Sequence, residues 1–233
     1  GGGFCKGTPD EYGVTVYKMG FCTKNPANPT LGSVLVGSAP DYSTCSWTYE
    51  NSTGEAASFS AGGSLDLSES FASAPTTGTY PFAVMLISKD FNIKGKFGPV
   101  GGKTYYSTTT FQTSSTDIDD YATQVAPLNT FGGDSECVAY TEGEAVTDGT
   151  ISAYLINSSG ILLDNDSSLS ECSGQENLLG VMKMSSDLTI SDATKGLKMT
   201  FTVTNNGMSV VTNETGSDIY VDSGPFSVKF QTF

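Results

Sequence analysis

Of the side chains that most often carry out chemistry near neutral pH, histidine is missing from all 233 residues of this chain. Its absence excludes Ser–His–Asp and Cys–His nucleophilic triads. It also removes the commonest ligand of transition metals. Zinc is excluded further because no CxxC pair is present to build a tetrahedral site. Glycoside hydrolysis needs only two carboxylates. The chain has 25 acidic residues, but no segment singles out a pair. We therefore read it as a structural or binding protein rather than an enzyme.

Two acidic clusters carry oxygens at spacings relevant to calcium, Asp117-Ile118-Asp119-Asp120 and Asp164-Asn165-Asp166-Ser167-Ser168. The second resembles the start of an EF-hand loop. Leu169, however, stands where the turn needs Gly, and Gln175 stands where a bidentate Glu would close the site. An irregular calcium site on Asp164 and Asp166 and a solvated turn are the two readings left, and no other cofactor is indicated. The glycine-rich Gly98–Gly102 lacks the Lys-Ser/Thr of a phosphate-binding loop and reads as a turn.

The five cysteines are Cys5, Cys22, Cys45, Cys137 and Cys172. In a chain with an extracellular composition they suggest a disulfide framework. Cys22–Cys45 with Cys137–Cys172 is the economical pairing, closing two local loops, and Cys5–Cys22 is the rival. Under the first pairing Cys5 is left over, either to bond a neighbouring subunit or to stay a free thiol. Four N-x-[ST] sequons, at Asn51, Asn157, Asn165 and Asn213, sit in polar stretches suited to glycosylation.

Eleven basic residues give a net charge of −14. That argues against nucleic acid and anionic membranes as partners, since both are bound through Lys and Arg. The longest apolar run, Phe82–Ile87, falls far short of the ~20 residues that cross a bilayer. The start at Gly1 without Met reads as a mature form whose signal peptide has been removed. Secretion, to the medium or the cell surface, is the expected location.

Period-2 alternation dominates the chain, and no amphipathic helix is evident. In Leu197–Asn205, Leu197, Met199, Phe201 and Val203 face one way and Lys198, Thr200, Thr202 and Thr204 the other. This run meets Asn206-Gly207 and then Met208–Thr212, which predicts a hairpin through a type I′ turn. Further strands are expected at Tyr12–Phe21, Ser33–Val36, Ser46–Tyr49, Ser64–Leu67, Tyr80–Ile93, Lys103–Gln112, Val138–Tyr140, Thr150–Ile156, Leu178–Met184 and Pro225–Phe233. So many short strands between Gly, Ser, Asn and Pro turns indicate an all-β antiparallel sandwich, immunoglobulin- or prealbumin-like or a jelly roll, with little or no helix. A single domain over 1–233 with terminal arms is preferred. The alternative is two small β domains, 1–113 and 121–233, divided at Ser114–Asp120.

Two segments, Val14–Thr23 (VTVYKMGFCT) and Gly78–Ile93 (GTYPFAVMLISKDFNI), give the first half of the chain a family likeness. Their order resembles a family of secreted bacterial β-sandwich proteins, many of them marine. In that family a first strand of the form Y-x-V-x-V-x-K-V-x-x-C precedes one that opens with G-x-Y and leads into a long apolar run. The resemblance implies a prealbumin- or immunoglobulin-like fold and secretion. It brings no catalytic residues with it.

The C-terminal PFSVKFQTF alternates Phe226, Val228 and Phe230 with polar residues and is still strand-like at Phe233. Such a strand can complete its own sheet or the open edge of a neighbour. Phe4 and Cys5, in the N-terminal arm Gly1–Lys6, form a second candidate donor. The expectation is thus an extracellular structural protein, a homopolymer subunit of a pilus-like surface filament or layer joined by donor-strand complementation. The alternative is an adhesin or carbohydrate-binding module on a cell or phage, offering Trp47, Tyr49, Tyr105 and Tyr106 to glycans.

Overall fold

A computed structural model describes residues 4–30, 32–60, 75–132, 136–146, 148–195, 197–203, 205–212 and 219–232. The first half of the chain forms β1 (Phe4–Gly7), β2 (Glu11–Cys22), β3 (Cys45–Ser60), β4 (Gly78–Ser88) and β5 (Asp90–Lys94). Shorter strands follow: β6 (Lys96–Val100), β7 (Lys103–Ser107), β8 (Ser114–Ser115) and β9 (Gln124–Pro127). The second half forms β10 (Tyr140–Val146), β11 (Gly149–Asn157), β12 (Gln175–Ile190), β13 (Leu197–Thr202), β14 (Met208–Thr212), β15 (Ile219–Ser223) and β16 (Ser227–Thr232). Tyr42–Thr44 and Ile118–Asp120 are 3₁₀ turns, and no α-helix occurs among the described residues. The fold is all-β and every ladder is antiparallel.

The large sheet has eight strands in the order β10-β11-β12-β4-β2-β5-β9, with β3 paired to β2, and it curls into a half-barrel. Strands from both halves of the sequence interleave in it, since β4 pairs with β2 on one side and β12 on the other. Alternation explains which face is buried. Tyr12, Val14 and Val16 of β2 are each 1% exposed. A bulge opposite Tyr17 then shifts the phase, so that Met19 and Phe21 are buried next.

The expected hairpin at Asn206-Gly207 is not formed. β13 pairs with β16, whereas β14 pairs with β1 and β15. Neither Asn206 nor Gly207 takes the positive φ that a type I′ turn requires. β13 with β16 and β14 with β15 are thus two antiparallel pairs in separate sheets, forming a two-part ribbon that shares its core with the large sheet. Both alternating runs are apolar on the same side, and folding them into a hairpin would leave that side short of a cover. This pairing instead sends Phe201, Val203, Met208 and Val210 into one core with Tyr12, Ile87 and Phe91. At the corner where the two parts meet, Gly224 N–H donates to the Gly207 carbonyl, 3.0 Å away. A Cβ on Gly224 would collide with the Asn206 carbonyl, so only Gly permits this approach.

Other expected strands differ at their bounds. Ser33–Val36 is no strand: Pro26, Pro29 and Pro40 break its surroundings, and the Asn25 side-chain Oδ1 accepts from the Ala27 and Asn28 amides. The segment drapes Val34 and Leu35 over the outer face of the large sheet. Tyr80–Ile93 divides at Lys89 into β4 and β5, and Lys103–Gln112 stops at Ser107 before a turn with Gln112 at φ 57°. Val138–Tyr140 contributes only Tyr140, the first residue of β10. Ser64–Leu67 lies outside the described residues.

Two disulfides close the economical pairing, Cys22–Cys45 and Cys137–Cys172. Cys22 and Cys45 are also directly opposed in the β2–β3 ladder. The rival Cys5–Cys22 bond is therefore absent, and Cys5 is a free, exposed thiol. No helix among the described residues is long and apolar enough to cross a membrane. Disulfides with no such helix are consistent with an oxidising, extracellular compartment.

Candidate functional site

The second layer of the fold is discontinuous. Opposite the eight-stranded sheet lie three small sheets, β1-β14-β15, β13-β16 and β6-β7-β8. Between the large sheet and the ribbon runs an open groove of about 440 Å³. Met85 and Ile87 of β4 and Leu178, Gly180 and Met182 of β12 form its floor. They alternate with Leu179 and Val181, which pack on the outer face. Ile151 and Ala153 of β11 extend one wall, and Phe226, Val228 and Phe230 form the other.

Two strand edges along this groove have no partner among the described residues. β10 is an end strand of the large sheet, and β16 pairs with β13. Among the described residues lining the groove, the ionisable ones besides Tyr12 are Lys6 and Glu144, both exposed. Tyr12 is 1% exposed and donates to the Gly224 carbonyl at 2.9 Å. Burial, with a smaller contribution from the Asp222 charge, pushes its phenol well above the ordinary tyrosine range. The walls thus carry one amine and one carboxylate at the rim over an apolar floor. Such an arrangement binds by burying apolar surface and offering main-chain edges.

The C-terminal residues expected to cross between subunits are held within their own chain. Phe230 meets Phe21 edge-on at 5.1 Å, and Phe226 lies 5.8 Å from both Tyr12 and Phe201. Val228 is 6% exposed, and Phe233 is outside the described residues. At the other end, Phe4, Cys5, Lys6 and Gly7 pair with Val211 to Met208 in a four-residue ladder on the edge of β14.

The remaining candidates are scattered. Asp164 accepts from the Asn165 amide, and Asp166 accepts from both the amide and hydroxyl of Ser168. Those two bonds, the hydroxyl's first, hold the Asp166 carboxyl below its usual range. Asp117 caps its turn by accepting from the Asp119 amide. No group of three or more His, Cys, Asp or Glu residues placed to hold a metal occurs among the described residues.

The four aromatics do not gather either. Tyr49 is 1% exposed and donates to Glu55. Trp47 packs against Tyr42 at 5.1 Å on the outer face, with the Lys18 ammonium 5.5 Å from its ring. Tyr105 packs on the inner core from β7, and Tyr106 sits 5.3 Å from Tyr121. Of the sequons, Asn51 lies in β3, Asn157 ends β11 and Asn165 lies in the loop before β12; Asn213 is outside the described residues.

Sequence reasoning missed the groove altogether. Its floor and walls come from β4, β11, β12 and the ribbon, and no local pattern relates them. Comparison with protein-family models, with curated proteins and with solved structures finds no match to this chain.

Proposed function

We propose that this chain is a secreted structural protein, a self-assembling subunit of a surface filament or layer. In this reading β1 of one copy enters the apolar groove of the next. The carrying observation is the groove itself, an apolar trough bordered by β10 and β16, each with one edge unpartnered among the described residues. A strand laid there finds main-chain partners along its length and apolar floor beneath its alternate side chains.

A second copy is the occupant favoured because β1 is loosely held and complementary in charge. Leaving β14 breaks a ladder of four residues at a sheet edge. β16, by contrast, could leave only by exposing the core residue Val228 and the rings of Phe226 and Phe230. Lys6 and Glu144 both stand at the groove rim, so in this reading the ammonium of an incoming β1 has a carboxylate to approach there. Head-to-tail transfer of this kind generates open chains wherever the rotation between copies does not close a ring.

The test is negative-stain electron microscopy with light scattering on the intact protein and on a chain lacking residues 1–6. The intact protein is expected to form regular filaments or sheets, and the truncated chain to remain a folded monomer. Assembly by the truncated chain, or dispersed monomers of the intact protein at high concentration, would overturn the proposal.

A further inference from the structure

The register of β2 against β3 contains an insertion that the sequence alone does not announce. Glu50 stands opposite Lys18 and Glu55 opposite Val16, so Asn51-Ser52-Thr53-Gly54 faces the single residue Tyr17. These residues bulge from β3, whose only described partner is β2. The bulge is braced by the Lys18–Glu50 ion pair at 2.8 Å. It turns at Gly54, with φ 75°, where a Cβ would collide with Thr15 and Tyr17. Ser52 and Thr53 are exposed. Asn51-Ser52-Thr53 is also one of the sequons.

Within the bulge, the Asn51 carboxamide is arranged as no other described sequon is. Its Oδ1 accepts from the Thr53 amide at 3.0 Å and from the Thr53 hydroxyl at 2.8 Å. Asn157 Oδ1 accepts from the Ser159 and Ile161 amides and receives no bond from its own sequon hydroxyl. Asn165 Oδ1 accepts from the Ala139 amide across the loop, which ties the side chain to the next segment. What sets Asn51 apart is the Thr53 hydroxyl on Oδ1, which polarises the amide from within the sequon; at Asn157 both donors are backbone amides. Nδ2 carries two hydrogens.

We infer that Asn51 is a glycan attachment site, and that it is used in preference to Asn157 and Asn165. The sugar donor is a saccharide activated as a diphosphate ester, supplied with a separate transferase. Nδ2 forms a bond to the sugar C1, and the C1–O bond to the diphosphate breaks. The diphosphate leaves with that electron pair, and the Nδ2 proton passes to a base of the transferase. A glycan here stands at the edge of β3 that has no partner among the described residues, where another chain could otherwise pair. The inference does not depend on assembly through the groove.

The test is peptide mass spectrometry on protein recovered from the cells that make it, alongside N51Q, T53A and T53S. The peptide holding Asn51 is expected to carry a saccharide mass that N51Q and T53A lose and T53S keeps. The T53A and T53S pair decides the matter if N51Q folds poorly. Bare Asn51 in the native protein, or equal occupancy at Asn157 or Asn165, would overturn the inference.

Discussion

Gly180 separates folding of this chain from the assembly proposed for it. It lies mid-strand in β12, on the groove floor between Leu178 and Met182. A Cβ added there meets only the Met85 carbonyl, at an ordinary 3.8 Å. Gly180→Val should therefore stabilise the monomer. Removing Gly from a strand interior contributes roughly 0.5–1 kcal/mol. Two further methyl groups contribute about 0.8 kcal/mol each if fully buried, and about half that on the floor of an open groove. The sum is roughly 1.3–1.8 kcal/mol, or a rise in Tm of about 3–7 °C for a domain of this size.

The same side chain stands where an incoming strand would lie, so assembly should be lost as stability rises. Differential scanning calorimetry and electron microscopy on one preparation read the two effects together, with Gly180→Ala as the intermediate step. A fall in Tm would mean that the floor is not open at Gly180. A raised Tm with intact filaments would show that the groove is not where subunits join.

Three other outcomes are expected. The Cys22–Cys45 and Cys137–Cys172 bonds close spans of 23 and 35 residues, and reducing either should cost about 3–4 kcal/mol, measured by urea unfolding of C22S/C45S and C137S/C172S. Without His, stability should be nearly flat between about pH 6 and 8. It should then fall in alkali, because burial raises Tyr42 to about 12 and also raises Tyr12 and Tyr154. Folding binds the phenol protons more tightly in these groups, so the stabilisation is complete below the unfolded pKa near 10 and is lost as pH climbs through the folded values. Tyrosinate absorbance that rises together with loss of circular dichroism would verify this, whereas smooth titration near pH 10 in the folded state would contradict it. Finally, Gly224→Ala at the ribbon corner should destabilise by about 1–3 kcal/mol in the same urea assay, and no change would mean that the corner relaxes freely.

The parts of this fold legible in the sequence are those governed by neighbouring residues. Alternation in Tyr12–Phe21 and Leu178–Met184 located β2 and the middle of β12. The pairing of Cys22 with Cys45 and Cys137 with Cys172 was the economical choice, although the still shorter Cys5–Cys22 span left a rival open that only the β2–β3 register decides. The misreading at Asn206-Gly207 is instructive for the opposite reason. A dipeptide suited to a hairpin was overridden because Phe201, Val203, Met208 and Val210 all had to reach the same core. The bulge at Asn51 was hidden because it is defined by register against β2, and no pattern within β3 reports its partner. The groove floor was hidden likewise: Met85 and Gly180 are neighbours only through the β4–β12 ladder.

That ladder also dictates an order of events in time. β4, near the middle of the large sheet, gains its second neighbour only when β12 arrives, with Leu178 seated against Ile87. Pairings between such distant parts of a chain are slow to form. The loop closed by Cys137–Cys172 ends just before β12 begins at Gln175, so that bond anchors the strand on which closure waits. Until then the floor formed by Leu178, Gly180 and Met182 does not exist. In the proposed assembly, a chain exported from its N-terminus would present its β1 early, but would receive a neighbour's only after its own folding is complete. Polymerisation would therefore start from finished subunits, and incomplete chains could cap an end but never extend it.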